Sequence, residues 1–196
     1  FDDAGPEYAR SVELAPRNGT YLREWVRWLT KAGRIRDARD VAERITKVDP
    51  GDAEALANLG SIELELGDLA SARRRLLRSL EMADAGLAPI VAVRAVRACL
   101  AMPTDAEAAG HARGIAAGLV DATKAQDPVA LLLLAHSQAV LREPGARQTM
   151  RRAVELLASA PEEVRTAAAE EREAVEAILS GRAPSLVPSP PPDQGV

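Results

Sequence analysis

The sequence predicts an all-α fold of stacked antiparallel helix pairs, and three observations carry that prediction. Apolar residues recur at helical spacing, as in Leu22, Trp25, Val26 and Leu29, which marks one stripe of an amphipathic helix. Two 34-residue segments, 19–52 and 53–86, align without a gap, and a fixed period of this length is the mark of repeat architectures. Aromatic residues make up only 3% of a chain that is 47% hydrophobic. Most of the core must then come from Ala, Leu, Val and Ile, which suits close helix packing better than a sheet sandwich.

The elements follow in order. Residues 1–18 supply the second helix of a truncated repeat, because Tyr8, Ser11, Leu14 and Pro16 occupy the phases of Ala42, Ile45, Val48 and Pro50. In 19–52, Gly33 stops the first helix by accepting the left-handed conformation beyond a helix end, small Ala38 lets the second helix approach, and Pro50 closes the unit by withholding an amide donor. In 53–86, Leu56, Leu59, Gly67 and Ala72 repeat Leu22, Trp25, Gly33 and Ala38, while Glu63 replaces Leu29, Leu76 replaces Ala42 and Asp84 replaces Pro50.

The second half keeps this grammar less regularly. Segment 87–126 reads as an irregular hairpin of helices 87–101 and 104–124, broken at Met102-Pro103-Thr104-Asp105, where Thr104 or Asp105 can cap the next helix. Segment 127–160 repeats the pattern with Ala130, Leu131, Leu134 and Ala135, turns at Pro144-Gly145, and continues through Ala146, Met150 and Ala153. Helix 161–182 opens with Pro161-Glu162-Glu163, favourable at a helix N-terminus, and as a polar closing helix is expected to cover the last apolar face. Residues 183–196 are proline-rich and are expected to form an extended tail. Phe1 falls between the two helices of a repeat, so the chain is expected to be the C-terminal portion of a longer protein.

Leu56, Leu59-Gly60, Ala72, Leu76 and Ser79 together resemble the tetratricopeptide repeat. The resemblance implies a right-handed superhelical solenoid of about ten helices. It also implies a concave face lined by the first helix of each pair, and a non-catalytic scaffold or adaptor role in binding a peptide or partner protein there. Val26 departs from the family, which places Gly at that phase; either this hairpin splays or its partner side chains are trimmed. The positions that line the groove in the family are here Thr20, Arg23, Glu24, Arg27, Thr30 and Lys31, then Glu54, Ala57, Asn58, Ser61, Leu64 and Glu65.

Some family members grip a terminal carboxylate with a basic residue and two Asn, and Arg23 and Asn58 fit that scheme, whereas Arg27 stands where Asn is expected. With the ladder Arg23, Arg27 and Lys31, and with Ser61 and Arg94, these form the candidate peptide-binding set. The ligand implied has an acidic or carboxylate end. The plainer reading of the same residues is a solvated charged helix face. Similar arrays at the C-terminus of bacterial glycosyltransferases, polysaccharide ligases, sulfatases and kinases imply an alternative role as a regulatory or substrate-recruiting module. Self-association through the first hairpin is a third expectation. Trp25 is expected in the hairpin core and Trp28 packed on the neighbouring repeat.

Other functions find little support. A net charge of −4, with 25 basic against 29 acidic residues, gives no positive field for nucleic acid. Arg73-Arg74-Arg75 with Arg78 reads as an exposed outer face. Cys99 is the only cysteine, which excludes an intrachain disulfide, and it reads as a small core residue. His111 and His136 show no metal-ligand spacing, and adjacent His136 and Ser137 would point about 100° apart on a helix. No phosphate loop or nucleophile elbow occurs. No catalytic residue, cofactor or metal is therefore expected. The preference for Arg over Lys implies a GC-rich bacterial genome. No apolar run reaches the roughly 18 residues of a spanning helix, and residues 1–20 lack a signal-peptide layout; the reading is a soluble segment of bacterial cytoplasm or periplasm.

Overall fold

A computed structural model of the chain describes residues 4–101 and 105–182. Among them run ten helices and no strand: α1 (Ala4–Leu14), α2 (Gly19–Lys31), α3 (Ile35–Val48), α4 (Ala53–Glu65), α5 (Leu69–Met82), α6 (Ala88–Leu100), α7 (Ala106–Ala122), α8 (Pro128–Val140), α9 (Ala146–Leu157) and α10 (Glu162–Leu179). The fold is an all-α helical solenoid, as the periodicity predicts. The chain divides into two compact units, 1–102 with α1 to α6 and 103–196 with α7 to α10. The proline-rich tail and the expected break at Met102-Pro103-Thr104 lie outside the described residues.

Five of the helices, α2, α4, α5, α7 and α8, start where a short polar side chain satisfies free amides. Asn18 accepts from the amides of Thr20 and Tyr21 at 3.0 and 3.3 Å to open α2. Asp52, Asp68, Asp105 and Asp127 do the same for α4, α5, α7 and α8. Between α2 and α3, and again between α4 and α5, the turn passes through a left-handed glycine, Gly33 at φ 73° and Gly67 at φ 79°. The second unit makes its turns with Lys124, Ala125 and Arg142 at φ 51°, 55° and 58°. Each such non-glycine residue costs about 1 kcal/mol, and none announces a turn as glycine does.

In the first unit each helix packs on the next, from α1 against α2 through to α5 against α6. Helices α4 and α5 approach closely at Gly60, where a Cβ would lie 2.8 Å from Leu76 Cγ and 3.2 Å from the Ala72 carbonyl oxygen. One repeat earlier the same places hold Val26 and Ala42, both buried in one cluster with Leu22 and Leu29. Val plus Ala carries as many side-chain carbons as Gly plus Leu, so the volume is conserved while its owner changes. The departure at Val26 is thus accommodated by a trimmed partner. Ser79, fully buried, donates to the Ala53 carbonyl at 2.6 Å and ties the end of α5 to the start of α4.

Trp28 packs against α1, where a Cβ at Gly5 would meet its ring at 2.6 Å. Trp25 stacks on Trp28 with centroids 5.2 Å apart and sits 6.3 Å from Tyr8. Large aromatics therefore join α1 to α2, where a small residue on the facing helix makes room. In the second unit α8 is central: α7, α9 and α10 all pack on it. Eight of its 13 residues are buried, including Leu131, Leu132 and Leu133.

Candidate peptide-binding face

The helices that open each pair carry the polar residues singled out from sequence. Arg23 on α2 donates from Nη2 to Asp52 Oδ2 at 2.8 Å, and its guanidinium lies over Gly19, where a Cβ would come within 2.9 Å of it. Asp52 is also the N-cap of α4, accepting from Ala55 through its other oxygen at 2.9 Å. Arg23 therefore bridges the starts of two successive opening helices with 38% of its side chain in solvent. Asp52 was not among the expected site residues. Its capping role is legible locally, but its pairing with a residue 29 positions away is not.

Arg27, one turn further along α2, is 59% exposed and pairs with Glu24 at 2.6 Å. Lys31 lies exposed at the end of α2. On α4, Ser61 occupies the phase of Arg27 and donates to the Ala57 carbonyl at 2.8 Å, which leaves its oxygen able to accept further. Asn58 is half-buried in the phase of Glu24, whereas Ala57, in the phase of Arg23, is fully buried and lines no groove. Arg23, Arg27, Asn58 and Ser61 thus occupy successive turns of α2 and α4.

Arg94 lies on α6. The fully buried residues of α6 are Val91, Ala95, Val96, Ala98 and Cys99; a strict 34-residue repeat aligns them with Ala57, Ser61, Ile62, Leu64 and Glu65, of which only Ala57 and Ile62 are buried. Burial in α6 therefore does not follow the phase of α4, and its exposed residues include Ile90 and Arg97. Arg94 is half-buried and has no ion-pair partner among the described residues.

The histidines form no catalytic constellation. His111 is exposed on α7. His136 is buried and its Nδ1–H donates to the Glu171 carboxylate of α10, while Ser137 donates away from it to the Leu134 carbonyl at 2.8 Å. Cys99 is buried. Among the described residues no group of three potential metal-ligating side chains occurs, and no helix is long and apolar enough to cross a membrane. The arginine run of α5 is spent on local partners: Arg74 on Ser71, Arg75 on Glu63 and Arg78 on Glu81.

Residues 29–95 match the family model described as tetratricopeptide repeat. Two crystal structures of the protein MamA superpose with TM-scores of 0.69 and 0.68 at 17% identity, covering 80% and 85% of this chain and 82% and 91% of theirs. A third, YrrB, titled a TPR protein with an unusual peptide-binding site, superposes with a TM-score of 0.62 at 12% identity, covering 89% of this chain and 84% of its own. At these identities the likeness is one of fold. No curated protein matches in sequence.

Proposed function

We propose that this chain, which matches the tetratricopeptide repeat model over residues 29–95, is a non-catalytic interaction module that holds a peptide or partner protein on the face of α2 and α4. The carrying observation is the row formed by Arg23, Arg27, Asn58 and Ser61 on successive turns of two opening helices. It presents cationic donors beside neutral groups that can donate or accept, the mixture that orients a carboxylate and an adjoining backbone. Lys31 extends the row, and Arg94 adds an uncommitted cation from α6. A ligand with an acidic or carboxylate end competes with Asp52 for Arg23 and with Glu24 for Arg27. Both internal pairs are partly exposed, so each exchange costs little.

The test uses a synthetic peptide ending in two aspartates with a free C-terminal carboxylate, beside its amidated form. The double variant Arg23→Glu/Arg27→Glu should bind the acid form at least about tenfold more weakly, with unchanged helicity. Equal binding by wild type and variant would show that this face is not the site.

Association of two copies through α1 is a second reading, favoured by one observation: Leu14, at the end of α1, is 79% exposed. Sedimentation across a concentration series should show Leu14→Glu shifting the chain toward monomer. A wild-type chain that is monomeric throughout rejects this reading.

A further inference from the structure

Helix α10 breaks the neighbour-to-neighbour order, because it packs chiefly on α8 and only slightly on α9, which precedes it. Of its 18 residues only Ala168, Glu171 and Val175 are buried. Ala168 and Val175 join Leu131, Leu132 and Ala135 of α8 in one apolar cluster, with Val164 and Leu179 partly buried at its margins. One Ala, one Val and two marginal side chains are a small apolar anchor for so long a helix.

At the centre of this contact lies a polar key. The His136 Nδ1–H donates to Glu171 Oε1, and the two side chains are 4% and 9% exposed. They are the buried titratable groups of the second unit among its described residues. The buried residues that surround α8 are otherwise apolar: Ala108, Ala109, Ala112 and Ala116 of α7, and Met150, Ala153 and Leu157 of α9. A buried polar pair in such surroundings contributes more to register than to stability, since any other seating of the helix strands both partners. His136 Nε2 has no hydrogen-bond partner even in the native seating, which subtracts further from the hold of α10. A second polar contact joins α10 to α9 at its end, where Arg147 Nη2 donates to the Leu179 carbonyl at 2.9 Å. It is exposed, so the buried specificity of the seating rests on the His136–Glu171 contact more than on bulk burial.

We propose that the face of α8 beneath α10 is a helix-docking surface and that α10 is its resident, displaceable occupant. The external ligand that fits it is an amphipathic helix bearing a carboxylate, with a small apolar residue three positions before and a branched one four after, as Ala168 and Val175 flank Glu171. An incoming helix with bulkier residues at the margins buries more area than α10 does. The surface belongs to the second unit and is independent of the α2 and α4 face.

The test uses the full chain and, as probe, a fluorescein-labelled peptide of residues 162–179, beside the same peptide carrying Glu171→Gln. Glu171→Ala in the chain unkeys the resident helix. That variant should bind the native peptide at least about tenfold tighter than wild type does, and should prefer it about tenfold over the Gln peptide. Hydrogen exchange should speed up across α10 in the variant, and added peptide should restore slow exchange in α8. Adding His136→Ala should erase the preference for the Glu peptide. If Glu171→Ala lowers helicity beyond α10, Glu171→Gln in the chain is read by the same criteria. Absence of binding, or equal binding of the two peptides to the unkeyed chain, overturns the proposal.

Discussion

Glu63 and Arg75 meet at 2.7 Å as an ion pair, in the places that Leu29 and Val41 hold one 34-residue repeat earlier. Glu63 is 2% exposed and its Oε2 has no hydrogen-bond partner. An apolar pair has thus been exchanged for a charged one within the same hairpin geometry. Arg75→Ala alone leaves a buried carboxylate uncompensated. It should cost about 2–3 kcal/mol, less than a fully enclosed pair would, because Arg75 keeps 30% of its side chain in solvent. The double variant Glu63→Leu/Arg75→Val, which restores the earlier pair, should be at least as stable as wild type. Urea unfolding of the three chains checks both outcomes.

The same carboxylate sets a pH dependence. Burial raises the Glu63 carboxyl above its ordinary 4.5, and the Arg75 hydrogen bond and charge only partly offset the rise. The folded state then holds that proton more tightly than the unfolded chain, so this contribution to stability falls as pH climbs from 4.5 through the raised value. Asp68 has the opposite sign. Its cap bond to the Ser71 amide lowers its carboxyl below 3.8, and that stabilisation is lost only as pH falls through the lowered value. Glu63→Gln should become more stable relative to wild type between pH 4.5 and neutrality; a pH-independent difference contradicts this.

Gly60 and Leu76 make a second exchangeable pair. Gly60→Val forces a side chain into the 2.8 Å gap before Leu76 Cγ and should cost about 1–3 kcal/mol. Leu76→Ala should cost about 2–5 kcal/mol through the cavity it leaves. Together they reproduce Val26 and Ala42, so the double variant should be clearly more stable than the sum of the singles predicts. Thermal melts of the four chains decide it.

Asp52→Asn separates capping from charge. Asn caps a helix about as well as Asp, and the lost pair with half-exposed Arg23 is worth about 0–1 kcal/mol, so stability should barely change. Arg23 is released, and affinity for an acidic-ended peptide should rise in titration calorimetry. A fall in affinity would mean that Arg23 acts only as an internal brace.

The parts of this architecture that depend on local spacing were legible in the sequence. Gly33, Gly67, Ala38 and Ala72 mark turns and close approaches directly, and Asn18, Asp52 and Asp127 mark helix starts. Three features were not legible. Burial in α6 departs from the 34-residue phase, with Ala95, Ala98 and Cys99 fully buried where α4 has Ser61, Leu64 and Glu65 at least partly exposed. The turns at Lys124, Ala125 and Arg142 use left-handed residues that carry no turn signal. The pairs Arg23 with Asp52, Glu63 with Arg75 and His136 with Glu171 join residues 29, 12 and 35 positions apart. Such pairs emerge only once the helices are stacked. The candidate face suffers most from this, because its charges were visible but their internal partners were not.

The central claim is that α2 and α4 together form a binding face, and amide NMR mapping with the free-acid peptide tests it most directly. Shift changes should concentrate on α2 and α4, strongest around Arg27, Asn58 and Ser61, and should vanish with the amidated peptide. Changes confined to α3 and α5, or identical changes with both peptides, would contradict it.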